Sequence, residues 1–151
     1  MDPPSIRPLA PADVAPCARF VAAAPLWRRY GYGEDRCARD LASALEGADD
    51  ALFCAELSGE PVGLAWVLRR GAFGRAPYLK LLAVAEPARG RGVGVLLLRE
   101  AEGLTGELFL LVSDFNADAR RFYAREGYAE AGALPDFAVP GITEILMWRR
   151  R

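Results

Sequence analysis

The sequence predicts a single α/β domain, of the α+β kind with a mixed sheet, spanning residues 1–151. Apolar runs typical of strands are interspersed with helical patterns along the whole chain. Two strand-to-helix units also follow one another directly between residues 78 and 127. A chain of 151 residues with a hydrophobic fraction of 52% is long and apolar enough to bury one real core.

The first half of the chain is predicted to supply one strand, two helices and a hairpin. In order, these are a strand at 5–8, helices at 11–24 and 35–46, and hairpin strands at 51–57 and 61–70. Pro25 is expected to break the first helix, and Gly47 to end the second. Residues 71–77 are predicted to form a loop.

The second half is predicted to alternate strands and helices. In order, these are a strand at 78–84, a helix at 92–102, a strand at 107–113, a helix at 116–126, and closing strands at 128–131 and 142–148. The strand at 107–113 is continuously apolar, which is typical of a strand buried on both faces. Gly127 is a good left-handed cap for the helix before it, and 134–141 is a turn-rich linker.

The glycine-rich stretch before helix 92–102 carries the clearest chemical signal. A helix N-terminus offers unpaired N–H groups and the positive end of a dipole, and glycines leave room for an anion to reach them. The sequence therefore predicts a phosphate or pyrophosphate site at this junction. Its residues are Arg89, Gly90, Arg91, Gly92, Val93, Gly94 and Val95.

A second motif follows in the next strand-to-helix unit, from Asn116 to Tyr128. Asn116 and Tyr123 are seven residues apart, so they share one helix face with Ala119 between them. This unit and the Arg89-Gly-Arg-Gly-Val-Gly94 motif, which fits Arg/Gln-x-x-Gly-x-Gly/Ala, closely resemble the GNAT superfamily of acetyl-CoA-dependent N-acetyltransferases. The resemblance is close over residues 78–128.

The resemblance implies a fold and a cofactor. The fold would have a mostly antiparallel central sheet with helices on both faces, splayed between strands 4 and 5, with a bulge in strand 78–84. The cofactor would be acetyl-CoA, with its pyrophosphate on the glycine-rich loop and its pantetheine arm paired with the backbone of Leu82, Ala83 and Val84. Asn116 would bind that arm, or act as a helix N-cap instead, and the small Ala119 would let the cofactor approach.

The activity that the resemblance implies is direct transfer of an acetyl group to a primary amine. Tyr123 matches the usual general acid, although it could instead be a packed aromatic. The acceptor would be a small-molecule or peptide amine of unidentified structure, and its predicted pocket residues are Trp27, Tyr30, Tyr32, Phe73, Arg75 and Phe137.

The general base is not identified by the sequence. Some relatives carry a glutamate where this chain has Tyr78. Glu56, Glu144 and Asp114 are candidates acting through water, and none is favoured over an amine that arrives already neutral.

Composition excludes several other classes. The chain has no histidine, which removes Ser-His-Asp systems, HExxH metalloproteases and a histidine base. Its three cysteines are widely spaced, so neither a metal site nor a disulfide framework is expected. The net charge of −1 argues against nucleic-acid binding, and no apolar run reaches the ~20 residues of a membrane span.

The start lacks a secretory signal, so a cytoplasmic location is expected. The resemblance is compatible with a homodimer.

Two other functions compete with the enzyme. A non-catalytic acyl-CoA-binding or sensing module would keep the glycine loop but would not need Tyr123. A nucleotide-binding Rossmann domain expects Gly-x-Gly-x-x-Gly and an acidic residue closing the next strand, whereas this chain has Gly-x-Gly-x-Gly and a strand ending in Val112-Ser113.

Overall fold

The computed structural model describes residues 2–150, which form one seven-stranded sheet in the order β1-β2-β3-β4-β5-β7-β6. The strands are β1 (Ser5–Pro8), β2 (Asp50–Leu57), β3 (Glu60–Ala72), β4 (Ala76–Val84), β5 (Leu108–Ser113), β6 (Ala129–Pro135) and β7 (Thr143–Arg149). The helices are α1 (Val14–Ala23), α2 (Pro25–Arg29), α3 (Glu34–Leu45), α4 (Val93–Glu102) and α5 (Ala117–Arg125), with single 3-10 turns at Pro11–Asp13 and Glu86–Ala88. None of the helices in the described range is long and apolar enough to cross a membrane.

The sheet opens between β4 and β5, its one parallel pair among the described strands. Only Tyr78 with Phe109 and Leu79 with Leu110 are paired, and the two strands separate beyond those residues. On the other side of β4, Val67 pairs with Leu79 and Trp66 with Leu81, so Lys80 is an extra residue that forms a bulge. The predicted mixed, mostly antiparallel sheet, splayed between strands 4 and 5, is confirmed.

Helices cover both faces of the sheet. On one face α4 and α5 pack over a buried cluster that includes Val67, Leu97 and Leu110. On the other face α1 and α3 cover a second cluster that includes Leu41 and Trp66. The sheet separates these two clusters, and the gap between β4 and β5 is the place where one face is open to the other.

Three segments differ from the sequence predictions. Residues after Pro25 form α2 rather than irregular chain, because proline is well tolerated in the first turn of a helix. β3 and β4 extend into the predicted loop 71–77 and leave a tight turn in which Phe73 and Gly74 both have positive φ. β6 runs on to Pro135, since its pairing with β7 continues through the expected linker.

Candidate active site

The glycine-rich loop meets α4 in an open, left-handed backbone. Gly92 is the N-cap of α4 with φ of 79°, and Gly90 has φ of 76°. A Cβ added at either glycine would meet no atom within 4 Å, so the space in front of the helix N-terminus is free. Arg89 and Arg91 are exposed beside it, and Arg89 Nε donates to the Val84 carbonyl at 3.3 Å. The junction fits a pyrophosphate group.

Helix α5 presents its polar residues to the same region. Asn116 is its N-cap, with Oδ1 accepting from the Ala119 N–H at 3.2 Å. Gly127 ends the helix with φ of 96°, as the sequence predicts. The capping role of Asn116 leaves its side-chain N–H groups available, and the side chains of Asn116, Ala119 and Tyr123 all face a cavity.

That cavity, of about 590 Å³, lies where β4 and β5 diverge. Ala119 and Tyr123 line it from the face covered by α4 and α5. Trp27 and Tyr32, which pack with the α1 and α3 cluster, line it from the opposite face. The cavity therefore passes through the gap in the sheet, and two molecules entering from opposite faces can meet inside it.

Among the groups that line the cavity are a buried carboxylate and the phenols of Tyr30, Tyr78 and Tyr123. Glu144 is 6% exposed, and the Tyr30 hydroxyl donates to its carboxylate while lying 2.5 Å from Ser113 Oγ. Burial and the hydrogen bond to Glu144 raise the pKa of Tyr30 to about 12. Burial and the charge of Glu144 raise the pKa of Tyr78 to about 12.

Tyr123 completes this group. Burial raises the pKa of Tyr123 above its usual value, and the neighbouring Tyr78 phenol adds to the rise. Because all three phenol pKa values are raised, these hydroxyls hold their protons at neutral pH and can act as donors.

The wall of the cavity on the α3 side carries aromatic rings together with charged side chains of both signs. The ring of Trp27 lies 6.1 Å from that of Tyr30 and 5.7 Å from that of Tyr32. Tyr32 donates to Asp40 at 2.9 Å, and Lys80 Nζ lies 4.0 Å from the centre of a tryptophan ring of β3. Flat faces and hydrogen-bonding groups of this kind suit a small organic ligand.

The structure brings some predicted site residues together and separates others. The predicted residues that line the cavity are Leu82, Asn116, Ala119, Tyr123, Trp27, Tyr30, Tyr32 and Phe137. Ala83 and Val84 continue β4 beyond the cavity lining towards the glycine loop, residues 89–95. Phe73 and Arg75 depart from the expectation that they line the acceptor pocket. They lie in the tight turn before β4, at the closed end of the gap, where the Phe73 ring packs edge-on against Phe109.

The lining also contains residues that sequence reasoning did not place there, among them Asp40, Trp66, Lys80 and Ser113. Of the three candidate bases, only Glu144 is in the lining. Glu56 accepts a hydrogen bond from Arg7 at the other end of the sheet, and Asp114 is exposed outside the lining. The one signal in the sequence was Glu144, a single carboxylate inside an apolar strand. The alternation of side chains along a strand does not show which residues of other elements that carboxylate will contact.

Comparison with known proteins decides the family. The model of the acetyltransferase (GNAT) family matches residues 19–128, which is well over half of the chain. The chain belongs to the GNAT family. A relative, an uncharacterized N-acetyltransferase of Methanocaldococcus jannaschii, is 32% identical over 108 residues, covering 68% of this chain and 67% of the relative.

Solved structures agree with this family assignment. An acetyltransferase from Thermus thermophilus superposes with a TM-score of 0.77 at 25% identity, covering 98% of this chain and 97% of the other. An aminoglycoside 6'-N-acetyltransferase complexed with coenzyme A gives a TM-score of 0.79, covering 96% of each chain; at 16% identity it supports the fold alone. This GNAT protein is an acyltransferase, and the family uses acetyl-CoA.

Proposed function

We propose that this GNAT protein transfers an acetyl group from acetyl-CoA to a primary amine by direct attack. The observation that carries the proposal is the cavity that passes through the gap between β4 and β5 and opens towards both faces of the sheet. Acetyl-CoA, when bound, supplies the acetyl group as a thioester. Starting from the protonated amine, the overall transfer forms one C–N and one S–H bond, breaks one C–S and two N–H bonds, and yields the amide, CoA as its thiol and one proton.

The residues that would hold the cofactor form a continuous path. The free N–H groups from Gly90 to Val95 and the charges of Arg89 and Arg91 suit a pyrophosphate. The edge of β4 that faces β5 has no strand partner beyond Leu79, so its backbone groups from Leu82 to Val84 are placed to pair with an extended ligand. Asn116 and the small Ala119 border that path from α5.

Tyr123 would supply the proton that the departing sulfur needs. Its hydroxyl faces the cavity, and its raised pKa keeps it protonated at neutral pH. A thiol has an ordinary pKa of ~8.5, so a phenol in reach is a reasonable donor to a thiolate. Removing such a donor commonly lowers a rate by ~10²–10⁴-fold.

The acceptor would enter from the face covered by α1 and α3. Trp27, Tyr30 and Tyr32 line that side, Phe137 also lines the cavity, and aromatic faces attract ammonium groups. We propose a small-molecule or peptide amine as the acceptor class, because charged residues of both signs line the cavity and no single one of them selects among amines by itself.

The test is release of CoA from acetyl-CoA with a panel of polyamines, aminoglycosides, amino acids and peptides with free N-termini. We expect turnover with at least one amine, and a Tyr123→Phe variant that loses ~10²-fold or more in kcat while its Kd for CoA stays within about twofold. Tyr128→Phe is the matched control, since Tyr128 bonds Glu102 in the core and not the cavity. Tight CoA binding with no turnover of any amine would instead indicate a non-catalytic acyl-CoA-binding module.

A homodimer and a cytoplasmic location belong to the same proposal. Every residue of edge strand β6 is exposed, and Phe73 is 79% exposed beside the stacked rings of Phe109 and Trp148. An unpaired edge and an apolar face are features that association of two copies would cover. Light scattering of the purified protein gives the mass, and a fluorescent fusion gives the location.

A further inference from the structure

We infer that Glu144 receives the ammonium group of the acceptor and removes its proton, and that Tyr30 holds the Glu144 carboxylate in position for this step. The inference rests on the proposed function, because the same cavity is taken as the acceptor site.

Glu144 is a buried carboxylate without a cationic partner among residues 2–150. Its side chain is almost fully buried, yet no lysine or arginine of that range lies within 4.0 Å of it. The other buried carboxylates, Asp13 and Glu102, each form an ion pair with arginine. Burying a charge costs free energy unless it is paired, so Glu144 is built to meet a cation that the chain does not provide.

The two oxygens of Glu144 are used differently. Oε1 accepts the hydrogen of the Tyr30 hydroxyl, which has only one to give. Ser113 therefore donates to the Tyr30 oxygen, and the chain Ser113, Tyr30, Glu144 has a fixed direction. Oε2 accepts no hydrogen bond from the described residues. No fully buried side-chain oxygen among them lacks a partner, so Oε2 reaches the open space of the cavity.

Glu144 also lies next to the proposed reacting groups. Its charge raises the pKa of Tyr78, and the Tyr78 phenol in turn raises that of Tyr123. Glu144, Tyr78 and Tyr123 all line the cavity, so an amine held at Oε2 shares it with the proposed general acid. The other titratable or charged groups that line the cavity are Tyr30 and Tyr32 after α2, Arg36 and Asp40 of α3, Lys80 of β4 and Tyr123 of α5.

In the proposed step a proton passes from the ammonium group of the acceptor to the Glu144 carboxylate. The acceptor enters as R–NH₃⁺, one N–H proton moves to Oε2, and the nitrogen keeps the electron pair that then forms the new C–N bond. The carboxylate becomes a carboxylic acid and returns the proton to water at the open end of the cavity. The substrate class that this predicts is a basic amine, protonated in water, rather than an alcohol or a weakly basic aromatic amine.

The decisive variant is Glu144→Gln, which keeps the shape and removes the charge. With the best amine of the panel, we expect its kcat/KM at pH 7 to fall by ~10²-fold or more, with the Kd for CoA within about twofold. Its activity should recover towards the pH at which the free amine is itself neutral. Glu60→Gln, at the exposed first residue of β3, is the matched control and should behave as the wild type.

Tyr30 is tested as a positioning residue. In Tyr30→Phe the Glu144 carboxylate loses the hydroxyl that fixes its direction, so we expect kcat to fall while the KM for the amine changes less than it does in Glu144→Gln. A purely structural role would instead lower the melting temperature and weaken CoA binding together with kcat. Glu144→Asp should restore part of the activity lost in Glu144→Gln.

Calorimetry of the amine binding to the CoA-bound protein separates this inference from the proposed function. We expect the wild type to bind the amine at least tenfold more tightly than Glu144→Gln, and the corresponding alcohol to bind weakly to both. If the wild type binds the amine more tightly than Glu144→Gln but no amine is turned over, the ammonium site at Glu144 is supported and the proposed acetyl transfer is refuted. If turnover occurs and Glu144→Gln keeps the wild-type pH profile and amine affinity, the inference is overturned.

Discussion

Replacing Gly92 by alanine is the sharpest perturbation of the predicted pyrophosphate loop. Gly92 is the N-cap of α4 at φ of 79°, and its carbonyl accepts from the Leu96 N–H at 3.1 Å. An added Cβ would meet no atom within 4 Å, so the substitution introduces no clash. What it introduces is an L-residue in a left-handed conformation, which costs about 1–2 kcal/mol.

The chain offers a closely matched control. Gly33 is the N-cap of α3 at φ of −87°, and a Cβ added there also meets no atom within 4 Å. Gly33→Ala therefore changes the same chemical group at the same place in a helix, without the left-handed backbone. The difference between the two variants isolates the strain at Gly92.

Urea unfolding and calorimetric binding of CoA measure where that strain goes. If the loop of Gly92→Ala keeps its shape, its free energy of unfolding should fall by about 1–2 kcal/mol more than that of Gly33→Ala. If the loop relaxes instead, CoA binding must restore the strained form, and the affinity should fall by about 5–30-fold. A Gly92→Ala protein that matches Gly33→Ala in both stability and CoA affinity would refute the reasoning.

Packing and charge support three further predictions. Gly63→Ala would place a Cβ 2.8 Å from two side chains of α4, so we expect its free energy of unfolding to fall by about 1–3 kcal/mol. Gly132→Ala, where a Cβ would meet open space, should lose little stability. Urea titration compares the two variants. Arg7 holds the pKa of Asp13 below its usual value, so Asp13 stabilises the fold above about pH 4 and this contribution is lost as the pH falls further. Asp13→Asn should accordingly show a smaller drop in urea midpoint between pH 6 and pH 3 than the wild type, and equal drops would contradict this. Ala119→Leu should fill the cofactor side of the cavity and weaken CoA binding at least tenfold by calorimetry, with its melting temperature as the check on folding.

The elements with strong local signals could be predicted from the sequence. Helix α5 begins at Asn116 and is followed by a left-handed Gly127, because capping residues act on the backbone beside them. The glycines before α4 could be recognised in the sequence for the same reason, because they too act on the backbone beside them. The turn at Phe73 was not predictable, since a bulky residue at positive φ is held there by the pairing of β3 with β4 rather than by its own preference.

The candidate site divides along the same line. The motif residues on β4, α4 and α5 are close in sequence and could be named from the motifs and from the family resemblance that these motifs carry. The Tyr30–Glu144 hydrogen bond joins residues 114 positions apart, on α2's end and on β7, and only the assembled sheet brings them together. The splay between β4 and β5 likewise depends on where pairing stops, which no local pattern of residues 78–84 specifies.

A crystal structure of the protein with CoA and the best amine acceptor tests the central claim most directly. The account predicts pyrophosphate against the N-terminus of α4, the pantetheine arm along β4 beyond Leu79, and the CoA sulfur within hydrogen-bonding distance of Tyr123. The amine should enter from the opposite face and lie against Glu144. An amine bound outside the gap between β4 and β5, or on the same side as CoA, would contradict the claim that two ligands meet through the sheet.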